Sequence, residues 1–158
     1  MTVATPSASS QMQSPYLAIL VGGFAAGAFD AITAFLAFGR RMPLGIASGV
    51  LGARAATGGA GVWILGLVLH FTIAIGAAAI YYLVSRRLDF LREHFVVCGM
   101  FFGIAIYLVM NLVILPLSAV PFPIGPFPVR AMIQGLLVHM ILIGLPIAAS
   151  VRLFSRPA

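Results

Sequence analysis

The run Val62-Trp-Ile-Leu-Gly-Leu-Val-Leu-His-Phe-Thr-Ile-Ala-Ile-Gly-Ala-Ala-Ala-Ile-Tyr-Tyr-Leu-Val84 contains no Asp, Glu, Lys or Arg. A helix rises about 1.5 Å per residue and a bilayer's hydrocarbon core is about 30 Å thick, so about 20 such residues cross it. Three further stretches meet that length, at 16–38, 95–115 and 131–151. In lipid every backbone N–H and C=O must find a partner within the protein, which leaves helices or a closed barrel. Barrel strands alternate apolar and polar residues, whereas these runs are continuously apolar. The expected fold is therefore all-α: a bundle of four transmembrane helices forming one domain over residues 15–158. Residues 1–14, rich in Ser, Thr, Gln and Pro, are expected to form a disordered polar tail. That tail lacks Lys and Arg, and the run after it exceeds a signal peptide's apolar core, so 16–38 reads as an uncleaved span.

Composition agrees. Of the 158 residues 62% are hydrophobic and 8% charged, and the mean hydropathy is +1.14. A water-facing surface needs about 25% charged residues. The net charge of +6 comes from nine arginines set against Asp30, Asp89 and Glu93. The arginines bracket the spans at 40, 41, 54, 86, 87, 92, 130, 152 and 156, the pattern of headgroup contacts and topology rather than of a nucleic-acid surface. With four spans, five of them fall on the side of the termini and four on the other, which favours cytoplasmic termini by one charge. Cys98 is alone and can form neither an internal disulfide nor a zinc site by itself. Trp63, Tyr16, Tyr81 and Tyr82 sit at span ends, where aromatic side chains serve as interface anchors.

The two long connections differ. Pro43-Leu-Gly-Ile-Ala-Ser-Gly-Val-Leu-Gly is apolar but too short to span, and reads as a short interfacial or re-entrant helix hinged by Gly58-Gly59. The other holds Pro116, Pro121, Pro123, Pro126 and Pro128 with Phe122 and Phe127 between them, a spacing that favours a stiff, extended cover.

The halves of the chain echo each other. Gly23-x-x-x-Gly27 is matched by Gly99-x-x-x-Gly103 at an offset of 76 residues, and Gly66-x-x-x-His70 by Gly135-x-x-x-His139 at an offset of 69. Small residues so spaced mark close helix approach. Two repeated two-helix units would carry a site at their interface.

Four polar residues fall in one layer of the membrane. Counted from the long-loop side, Asp30, His70, Asn111 and His139 lie roughly 8–14 Å deep, one on each span. Each shares a helix face with small residues and so should point into the bundle. Intramembrane ionisable groups are functional candidates by default. Three uses compete for this cluster. It can carry protons or a small solute, with Asp30 and a histidine titrating, or it can fasten the helices. As a further alternative, His70 and His139 could ligate a b-type haem, or a transition metal with Asp30. No cofactor is required by the first two. Catalytic residues are not indicated: there is no G-x-S-x-G, no H-E-x-x-H and no phosphate loop.

His70-Phe71 followed by Tyr81-Tyr82, the third-stretch glycines, Pro116-Leu117 before the proline-rich connection and the late Gly135-x-x-x-His139 together carry a likeness. On these, residues 66–139 resemble the YagU-like inner-membrane proteins of bacteria. The family's first connection is longer, and a histidine often stands where this chain has Asn111. The resemblance implies four helices in a bacterial inner membrane and brings no activity with it. The partners expected are the lipid bilayer and a second copy or a membrane complex; nucleic acid is not among them.

Overall fold

Ser14 starts the first helix. Its Oγ accepts the Leu17 N–H at 3.4 Å, and Pro15 occupies the first turn, where a missing N–H costs nothing. In this computed structural model, which describes residues 14–125 and 128–155, five principal helices follow. They are α1 (Pro15–Phe38), α2 (Met42–Leu51), α3 (Ala60–Ser85), α4 (Phe95–Leu117) and α5 (Val129–Phe154). All but α2 are long and apolar enough to cross a membrane. No strand occurs among the described residues. The chain is a multi-pass, all-helical membrane protein. The expected tail lies outside the described residues, apart from Ser14.

Gly39 and Gly52 punctuate the first connection. Their φ angles of 61° and 62° are left-handed, which stops a helix at little cost only where no side chain is present. Between them Met42–Leu51 forms the short helix expected from its apolar pattern, with Pro43 in its first turn. Six residues of 3-10 helix, Gly52–Thr57, then lead to α3.

Packing runs in the order α3, α1, α5, α4, so chain neighbours pair and α1 meets α5 across the middle. Small residues set each seam. A methyl group on Gly23 would lie 2.6 Å from the Ile75 Cα, and one on Gly27 would lie 2.8 Å from the Phe71 ring. In the second hairpin, one on Gly99 would lie 2.9 Å from the Gly144 carbonyl oxygen, and one on Gly103 would lie 2.6 Å from the Met140 Cα. These contacts obey the offsets of the sequence echo: Ile75 corresponds to Gly144, and Phe71 to Met140. The central seam joins Gly22 to Ile147 and Ser150, and the Ser150 hydroxyl donates to the Ala18 carbonyl at 2.9 Å.

The core lies in the half of the bundle nearer the termini. Ala18, Ala26, Ala77, Ala78, Ile147 and Val151 form it, together with Tyr81 and Tyr82. Those two tyrosines are 2% and 7% exposed, which corrects their reading as interface anchors. The Tyr81 hydroxyl donates to the Leu91 carbonyl at 2.9 Å, so the turn Phe90–Glu93 supplies the polar partner that headgroups would otherwise provide. Tyr16, 75% exposed, keeps the anchor position. On the long-loop side α4 and α5 pack thinly, with no residue buried within 104–117 or 129–138, whereas α2 buries Met42, Pro43, Ala47 and Ser48.

Candidate functional site: the intramembrane polar layer

Each of the four polar residues stands on its own long helix. His70 lies ten residues into α3, His139 ten into α5, Asp30 eight before the end of α1 and Asn111 six before the end of α4. Along the helices these counts correspond to about 9–15 Å from the long-loop ends. All four are half-buried.

They do not form one hydrogen-bonded cluster. His70 is the crosslink: its Nε2–H donates to the Gly27 carbonyl of α1 at 2.8 Å, one turn above the Gly23–Ile75 contact. Its ring also meets Phe71 edge to face, at 5.3 Å between centroids. The equivalent His139 behaves differently. Its Nδ1–H donates to the Gly135 carbonyl of its own helix at 2.8 Å, and its ring sits edge-on to Tyr107 of α4 at 5.2 Å. The Asn111 Nδ2–H likewise turns back on its own helix, to the Tyr107 carbonyl at 2.8 Å. No hydrogen bond joins any two of the four residues. Among the described residues the Asp30 carboxylate has no hydrogen-bond or ion-pair partner; only its backbone carbonyl is used, accepting from the Thr33 hydroxyl at 2.9 Å.

The two helices that carry Asn111 and His139 both widen at the layer. In α5 the segment His139–Gly144 is π-helical, and Leu145 N–H reaches five residues back to the Met140 carbonyl. In α4 the segment Met110–Ile114, which contains Asn111, does the same, with Leu115 N–H bonded to the Met110 carbonyl. Each π turn ends two residues before a proline, Pro146 or Pro116. A proline ring crowds the carbonyl four residues earlier, and a widened turn relieves that crowding. The seam register is kept through this segment, with Gly103 against Met140 and Gly99 against Gly144, so His139 differs from His70 in its bonding and not in its place along the seam.

Glycines stand at the seams. Gly23 and Gly27 pack on α3, Gly99 and Gly103 on α5, and Gly135 on the Tyr107 ring at 2.8 Å. Gly66 packs on something else: a methyl group there would overlap the Pro43 carbonyl of α2. The short helix is thus seated on α3 one turn beyond His70.

Ligand chemistry is less well served. Among the described residues no three His, Cys, Asp or Glu side chains form a group that could hold a metal ion, so the triad His70, His139 and Asp30 is not assembled. The main neighbours of the His139 segment are α4 and α1, while α3 packs chiefly on α1 and α2. With α1 between their segments, the two imidazoles do not face a common haem iron. One helix, α1, separates the segments that carry the two histidines. Tyr107 also belongs to the layer, where its ring links the third and fourth spans. Pro116 and Pro146 were the available signals for the π turns.

The matching offsets, the seams and the polar layer define the molecule by its own geometry, since the chain matches no family model, no curated protein and no solved structure.

Proposed function

We propose that this protein conducts or senses protons, or moves a small polar solute in a proton-linked way, through the layer of Asp30, His70, Asn111 and His139. The observation that carries this reading is the position of the layer. The packed core occupies the half toward the termini, while on the long-loop side α4 and α5 bury nothing over 104–117 and 129–138, the stretches that contain Asn111 and lead up to His139. A carboxylate in hydrocarbon is costly unless it meets water, a solute or another polar group. Asp30 has no such partner among the described residues, and an opening on the long-loop side would supply one. The reading is tested with purified protein in liposomes carrying a pH-sensitive dye. Asp30→Asn and His70→Ala should each reduce the pH-dependent flux at least tenfold. A double variant with the flux and stability of the parent would remove the proposal.

A structural or assembly subunit is the second reading, favoured by the His70–Gly27 bond, which ties two helices together without needing to titrate. It expects the same substitutions to lower thermal stability in detergent and leave flux untouched. On the resemblance to the YagU-like proteins, the protein belongs in a bacterial inner membrane. The excess of one arginine supports cytoplasmic termini. A second copy or a membrane complex is its partner in that setting.

A further inference from the structure

We propose that α2 is a strap that gates the long-loop mouth of the polar layer, with its fixed end on α3 and its releasable end on α4. This rests on the transport reading above. At the fixed end, the Pro43 carbonyl is pressed against Gly66, four residues before His70. Pro43, Ala47 and Ser48 are buried, and the Trp63 indole N–H donates to the Arg40 carbonyl at 3.0 Å. At the other end the attachment is slight. The Ala119 N–H, just past α4, donates to the Gly49 carbonyl at 2.9 Å. Gly49 and Gly52 otherwise meet Ser118 and Ala119 only at ordinary contact distances.

A ten-residue helix is about 15 Å long, enough to cross from one span to another. α2 therefore starts above His70 and ends beyond Asn111, on the same side of the layer as both. The second and third spans have no extensive contact with each other, so this helix is what bridges them at that end. Its flanks are built to turn: Gly39 and Gly52 have left-handed φ, and nothing lies within 4 Å of a methyl group on Gly39. On the α4 side, the π turn Met110–Ile114 and Pro116 interrupt the regular ladder just before the strap's contact. Loss of one backbone hydrogen bond at Ala119 frees α2 to swing on its seat at Gly66 and expose His70.

The two ends can be locked covalently. A Cβ at position 49 would lie 3.6 Å from the Ser118 Cβ, within the range of about 3.5–4.5 Å that a disulfide spans. The experiment uses Gly49→Cys with Ser118→Cys on a Cys98→Ser background, in liposomes. Carbethoxylation of each histidine is followed by mass spectrometry, with the exposed His94 as internal reference. Oxidation should form the crosslink readily and slow modification of His70 relative to His94 by fivefold or more, and reduction should reverse this. Ala119→Pro, which deletes the N–H donor, should speed it. Failure to crosslink, or an unchanged His70 rate after crosslinking, overturns the strap. Flux read in the same vesicles separates the two proposals: flux that continues through crosslinked protein overturns the gate. If no form shows flux while His70 protection still follows the crosslink, the transport reading fails and the strap stands.

Discussion

Gly99 and Gly144 meet backbone to backbone. A methyl group on Gly99 would lie 2.9 Å from the Gly144 carbonyl oxygen, and one on Gly144 would overlap the Gly99 carbonyl. Neither obstacle is a flexible side chain, so the helices must part to admit any larger residue. Overpacking of this kind costs about 1–3 kcal/mol. Gly99→Ala and Gly144→Ala should each lower the melting temperature in detergent by several degrees. Gly76→Ala, with nothing within 4 Å, should leave it unchanged or raise it through better helix propensity. Equal effects at all three positions would contradict the seam.

His70 and His139 are equivalent in sequence and unequal in bonding. His70→Ala removes a hydrogen bond between helices, with an expected loss of about 1 kcal/mol. His139→Ala removes a bond within one helix and the edge contact to Tyr107. Thermal unfolding of the two variants should show the larger loss for His70. A larger loss for His139 would mean that it, and not His70, fastens the bundle.

Asp30 has no partner among the described residues, so replacing it should not weaken the fold. Asp30→Leu is expected to leave the melting temperature in detergent unchanged or raised, because no side-chain hydrogen bond is lost. The same substitution should abolish the proposed flux. A destabilised Asp30→Leu variant would reveal a partner for the carboxylate.

The Tyr81 hydroxyl is held by the Leu91 carbonyl, beneath the turn that joins the second and third spans. Tyr81→Phe keeps the ring contact with Phe102 and loses that bond, worth about 1 kcal/mol. Trypsin should then cut faster within 86–92, where Arg86, Arg87 and Arg92 lie. An unchanged rate would show that the ring alone fixes the turn.

Span lengths were legible because membrane crossing is a count of apolar residues. Residues 62–84 grew only to Ala60–Ser85, and 131–151 to Val129–Phe154. Residues 95–115 extended to Leu117 because the π turn carries the helix through Pro116. The short helix before Gly52 was legible for a related reason: it is apolar and bounded by glycines. The neighbours of each polar residue were not legible. Depth is a property of one helix, whereas contact depends on helix order, and nothing local in the sequence says that α1 stands between α3 and α5. His139 bonds to its own helix although its Gly-x-x-x-His pattern is the same as that of His70. Tyr81 and Tyr82 misled because span-end aromatics are anchors only when no loop folds back to satisfy them.

The helix order carries a consequence for assembly. Each hairpin closes its own seam, Gly23 on Ile75 in one and Gly99 on Gly144 in the other, with residues that lie within one hairpin. The first can therefore form in the bilayer before the second has been synthesised. The contact of Gly22 and Ala18 with Ile147 and Ser150 has to wait until the last span is inserted. That seam is the final event of folding. Two separately made halves, divided in the loop at 86–89, retain everything needed to find each other.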